Sequence, residues 1–202
     1  MARGARAVRA EWSDPNEVAA TILAPYFDVT RALFCGHVPE RASGPLSKLR
    51  RTKFRISDEV ADTGRHFAGT TEDGLLIVLA PAIVDLGPES ASAIIAHEFG
   101  HAADFMYPAG FLPPPRGSGP VRWLGDEPES KELVAWRQYW HDRTEMGRSR
   151  DTTPEVENAK DQIEWAADSI AESVVGRSIR YCGECLVQCW NPRAPRRPAL
   201  LR

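Results

Sequence analysis

The 202-residue chain is short of the features that place a protein quickly. It has five histidines, four cysteines and three methionines. Neither sign of charge is in excess, with 25 basic against 28 acidic side chains and a formal net charge of −3. Such a balance offers no general attraction to nucleic acid or to an anionic membrane, so neither is an expected partner. No apolar run approaches the ~20 residues that span a bilayer. The basic opening, MARGARAVRA, is not followed by the apolar core of a signal peptide, and a cytoplasmic protein is expected. Cysteine is too sparse for a disulfide scaffold: Cys35 stands alone, and Cys182, Cys185 and Cys189 share one short stretch. What is left, 43% hydrophobic and 26% charged, is ordinary for a globular protein, and the length suits one domain.

Among so few histidines, two fall within five residues. His97-Glu98-Phe99-Gly100-His101 has the pattern H-E-x-x-H, which chance would place in about one chain in a hundred of this composition. It lies in an alanine-rich apolar run over 91–106 that reads as one helix. Residues four apart share a helix face, so His97 and His101 present two imidazoles to one point. Zinc takes two of its protein ligands in that way, with the intervening glutamate beside a metal-bound water as general base.

The rest of the chain frames that helix. Apolar spacing predicts a helix over 16–34 that kinks or ends at Pro25, followed by a basic Gly/Pro-rich loop with a short helix near 46–51. Strands are predicted over 53–56, 65–69 and 75–80, the last two antiparallel across an Asp73-Gly74 turn. Pro88 suits the first turn of the motif helix. A Pro/Gly-rich loop then leads to a helix over 132–141, with Leu133, Trp136 and Trp140 on one face, and a second over 155–175. The reading is α+β: a small, mostly antiparallel sheet packed on the H-E-x-x-H helix, with a largely helical C-terminal half. A single domain over 1–202 divides into a helical extension (1–50), sheet plus motif helix (51–106), loop (107–130), helices (131–180) and a Cys-containing tail (181–202). The cluster Lys48, Arg50, Arg51, Lys53 and Arg55 reads as a solvated face.

A catalytic zinc has three protein ligands and one open position. The metzincin extension fails, because Asp104 and Tyr107 occupy its glycine and histidine places. Glu164 and Asp168 lie four apart on the last helix, among core residues where a carboxylate needs a partner. This E-x-x-x-D downstream of H-E-x-x-H resembles the gluzincins, the thermolysin-like group. The likeness covers about half the chain, over 75–106 and 161–175, and is nearest the small single-domain members of phage and bacterial genomes. The resemblance implies a zincin-like fold and a zinc metalloendopeptidase acting on a protein or peptide substrate. In it Glu164 is the third zinc ligand, Asp168 holds the ring N–H of His97, and Glu98 is the catalytic base. Glu172, one turn further along the same face than Asp168, is a competing ligand; Asp104 can lie near the metal, but a third ligand from the histidines' own helix has poor tetrahedral geometry. An oxyanion donor is expected from Tyr139, His141, Tyr107 or Tyr181, and a substrate strand is expected to pair with strand 75–80 or its neighbour.

Two readings of other kinds stay open. Cys35, Cys182, Cys185 and Cys189 suit a second, structural zinc, two disulfides, or a helical stripe of free thiols. A regulatory or nucleic-acid-associated protein without proteolysis, built on the same scaffold, draws on the basic cluster and the cysteines, and the net acidic charge counts against it.

Overall fold

Four phenylalanines, at 27, 34, 54 and 99, tie the first half of the chain together. The computed structural model describes residues 14–37, 48–58, 67–107, 111–112, 122–123 and 130–176. In it Phe99 meets Phe27 and Phe34 at ring-centroid distances of 4.9 and 5.3 Å, and Phe27 meets Phe54 at 4.8 Å. These contacts pack the first helix, α1 (Pro15–His37), onto the helix that carries the histidines. The buried positions of α1, namely Ala19, Leu23, Phe27, Thr30 and Phe34, recur at helical spacing.

That stripe runs straight past Pro25, so the expected break at the proline does not occur. Pro25 lies on the exposed side of α1, where water can satisfy the carbonyl that its missing N–H leaves behind. One continuous helix has a further consequence. Contrary to the expectation that no segment reaches membrane-spanning length, Pro15–Gly36 does so by length and composition, with a mean hydropathy of 1.3. It is the single such helix among the described residues, and its Leu23–Phe27–Phe34 face is part of the core.

The sheet has three strands, β1 (Lys53–Ile56), β2 (Ala68–Thr70) and β3 (Leu76–Leu79), in the order β1–β3–β2. β2 pairs antiparallel with β3, as the turn signal predicts, but β1 pairs parallel to it. The sheet is therefore mixed and not mostly antiparallel. Period-2 alternation carries a strand's faces and not its direction, so the sequence pattern reads the same for both pairings. Strand β3 is central and bonded on both sides, which leaves β1 and β2 as the edges. β3 turns Ile77 and Leu79 inward, both fully buried. Gly74 in the β2–β3 turn has φ +69°, and a Cβ there would lie 2.7 Å from the Ala102 carbonyl oxygen. The hairpin thus rests directly on the motif helix.

A 3-10 helix (Pro81–Leu86) leads into the motif helix α2 (Gly87–Met106), with Pro88 in its first turn. Helix α2 is buried along nearly its whole length between α1, the sheet and the last helix. The expected loop carries a two-residue antiparallel ladder, β4 (Phe111–Leu112) with β5 (Arg122–Trp123). Helix α3 (Lys131–Gly147) starts at Ser130, whose side chain accepts from Leu133 N, and runs six residues beyond His141. Its Leu133, Trp136 and Trp140 bury themselves against Ala166 of α4 (Pro154–Val175), which is capped by Thr153. The described residues are thus mixed α+β and mostly helical.

Candidate metal centre

Where α2 crosses α4, one residue has no side chain. A Cβ on Gly100 would stand 2.2 Å from the carbonyl oxygen of Ala167 and 2.9 Å from its Cα. Only glycine lets the two backbones approach so closely. Gly100 lies between His97 and His101, and Ala167 lies between Glu164 and Asp168. The close crossing therefore sets a histidine pair on one helix against an acid pair on the other.

The result is a tight cluster. Nε2 of His97 lies 3.0 Å from Nε2 of His101. Oε2 of Glu164 lies 3.1 Å from His97 Nε2 and 3.4 Å from His101 Nε2. Among the described residues this is the one group of His, Cys, Asp and Glu close enough to hold a metal ion. The spacing fits a small tetrahedral cation. Bonds of ~2.0–2.1 Å to nitrogen and oxygen give ligand–ligand edges of about 3.3 Å, which falls within the 3.0–3.4 Å seen. Two imidazoles and one carboxylate also suit zinc better than magnesium or calcium, which prefer all-oxygen sets. Of the three, Glu164 is the most open to water: its side chain is 36% exposed, against 13% for His97 and 9% for His101.

Asp168 completes the arrangement. Its Oδ1 lies 2.8 Å from His97 Nδ1, and a carboxylate can only accept, so Nδ1 carries the proton. That leaves Nε2 aimed at the cluster. Burial opposes charge on His97, yet hydrogen bonds and charges from Asp168 and Glu164 hold its pKa well above the ordinary imidazole value. His101 is also raised, burial and the His97 charge being outweighed mainly by Glu164. For Glu164 the balance runs the other way: burial would raise it, and the two imidazoles hold it well below the usual carboxylate range.

Glu98 is 5% exposed and lies beside the cluster, close enough for its charge to act on His101. Its carboxylate is held from the sheet: Thr70 Oγ1 lies 2.7 Å from Glu98 Oε2 and 3.1 Å from the Glu98 main-chain oxygen. Thr70 has no signature in the sequence. A hydroxyl near the end of a short strand, 28 residues before its partner, matches no spacing rule.

The other expected residues go elsewhere. Asp104 is buried and accepts from Trp140 Nε1 at 2.9 Å, which turns it toward α3 and out of the trio. Glu172, two turns beyond Glu164, is not part of the trio either. Tyr139 donates its hydroxyl to Gln162 Oε1 at 2.8 Å, on a different face of α4 from Glu164, and its ring stacks on Trp136. His141 stands exposed beside Asp142. Tyr107 is buried in the main core, where burial pushes its phenol up to about 12. Cys35 is half-buried on α1, its thiol raised by burial and partly offset by Arg50. Cys182, Cys185, Cys189 and Tyr181 lie outside the described residues, and so does His66.

Comparison with protein-family models, with curated proteins and with solved structures finds no match to this chain.

Proposed function

We propose that the chain is a zinc-dependent metalloendopeptidase of the gluzincin kind, with His97, His101 and Glu164 holding the metal. One observation carries this reading: three ligand atoms from two helices, 63 positions apart in sequence, lie 3.0–3.4 Å from one another with Asp168 behind His97. A buried polar network with no metal accounts for this poorly. It can place one shared proton between two imidazole nitrogens 3.0 Å apart, whereas a cation gives both nitrogens and the Glu164 oxygen a partner at once.

A zinc ion held there supplies Lewis acidity toward the scissile carbonyl and a water acidified to a pKa near ~7. The residues of the chain do the remainder. His97 is held in the right tautomer by Asp168, which keeps Nε2 free to ligate. Glu98 takes the attacking water's proton and returns it to the leaving amine as the C–N bond breaks. The near-complete burial of Glu98 keeps bulk water from competing for that proton. The side open at Glu164 is the route by which a peptide reaches the centre. Protein or peptide is the substrate class this reading implies.

The test is direct. Purified protein is expected to contain about one equivalent of zinc. Glu98→Gln should keep that zinc and lose hydrolysis of an unstructured protein such as casein, because the amide cannot accept the proton. Cleavage at the wild-type rate by this variant would sink the mechanism. Zinc absent from both the wild type and the variant would sink the metal site.

A further inference from the structure

The proposed mechanism asks more of Glu98 than proximity. A glutamate has three rotatable side-chain bonds, and a base must present one oxygen in one place. That restraint comes from the sheet, through Thr70 of the edge strand β2. Thr70 is paired with Ile77 in the β2–β3 ladder, so its backbone is fixed, and a β-branched side chain has little freedom at χ1. Its hydroxyl meets the Glu98 carboxylate at Oε2, 2.7 Å away, and also lies 3.1 Å from the Glu98 main-chain oxygen.

We infer that Thr70 is a positioning residue for Glu98: its hydroxyl holds the carboxylate through Oε2 and leaves Oε1 as the oxygen that faces the attacking water. This rests on the proposed function above, since it gives Glu98 a base's task. A threonine hydroxyl carries one proton, and of its two acceptors the carboxylate oxygen is nearer and charged, so the proton goes there. The contact also joins the strand that borders the site to the base that acts in it.

Thr70→Val keeps the shape and strand preference of threonine and removes only the hydroxyl. With a quenched-fluorescent peptide chosen from a mixed library by wild-type cleavage, kcat is expected to fall about tenfold, less than the ~10²–10⁴ that a general base itself contributes. KM should stay within about twofold, because ground-state binding is untouched. Thr70→Ser should restore kcat to near wild type. Two readouts do not depend on turnover. Zinc affinity by chelator competition should match wild type, and a crystal structure of zinc-loaded Thr70→Val should show Glu98 in more than one rotamer.

Unchanged kcat in Thr70→Val, alongside an inactive Glu98→Gln, overturns the role of Thr70 and leaves the proposed function standing. Loss of zinc in Thr70→Val overturns it as well, because the residue is then a part of the scaffold. Full activity in Glu98→Gln removes the proposed function and takes this inference with it.

Discussion

Asp168 and Asp104 both belong to the surroundings of the histidines, and burial treats them differently. Asp168 has His97 Nδ1 at 2.8 Å. Replacing it with asparagine or alanine should weaken zinc binding about 10- to 100-fold, as loss of a partner behind a ligating histidine typically does. Competition against a chromophoric chelator measures this, and equal affinity would remove the orienting role. Asp104 has one oxygen bonded to Trp140 Nε1 and the other buried with no hydrogen-bond partner among the described residues. Burial raises its pKa from 3.8 to about 6, against the opposing Trp140 hydrogen bond and His101 charge. An acid with a raised folded pKa binds its proton more tightly when folded, so stability falls as pH rises from about 4 through 6. The loss is on the order of 3 kcal/mol at most. Asp104→Asn is already neutral and keeps an acceptor for Trp140. In urea titrations of metal-free protein the variant should match wild type near pH 4 and exceed it above pH 6. A pH-independent difference would mean that Asp104 is not desolvated.

At the scale of elements, α1 and the α2–α4 crossing make opposite predictions. Pro25 costs α1 a hydrogen bond in its middle, on an exposed side where nothing else depends on the ring. Pro25→Ala should therefore stabilise the protein, by roughly 1–3 kcal/mol in denaturant. Gly100 is the reverse case. Alanine there would drive a methyl into the Ala167 backbone, which cannot yield as a side chain can. Gly100→Ala should cost about 1–3 kcal/mol and, by spreading the helices, also lose zinc affinity. Stability lost with affinity kept would mean that the ligands tolerate a wider crossing.

For the whole molecule, the group close enough to hold a metal joins two helices that the chain separates by the ladder β4–β5 and by α3. A ligand that binds only the folded state stabilises it by mass action, so a chelator should lower Tm and loosen α4 in particular. Binding should also release protons, since His97 and His101 are raised and Glu164 is ionised in metal-free protein. Zinc affinity is expected to weaken as pH falls through the range where these histidines protonate. Calorimetry in two buffers of different ionisation enthalpy measures the protons released.

How much of this was legible follows from what each residue depends on. His97, His101, Glu164 and Asp168 could be paired in advance because each pair sits at i and i+4, a property of one helix. Leu133, Trp136 and Trp140 were legible for the same reason. Pro25 misled because propensity is local, and the continuous stripe from Ala19 to Phe34 outweighs one missing bond. The parallel β1–β3 pairing and the Thr70 contact were out of reach. Both depend on how distant segments meet, and neither leaves a period in the sequence.

The crossing at Gly100 and Ala167 also changes what a similar chain would have to look like. If the backbones must touch there, glycine is required between the histidines and a small residue between the acids. The pattern to look for lengthens to H-E-x-G-H with E-x-x-A-D, the gap between them left free. Glycine fills a given place about once in fourteen residues, so that letter alone thins accidental matches about fourteenfold. A close contact between two main chains thus becomes a sharper means of telling true relatives from coincidence.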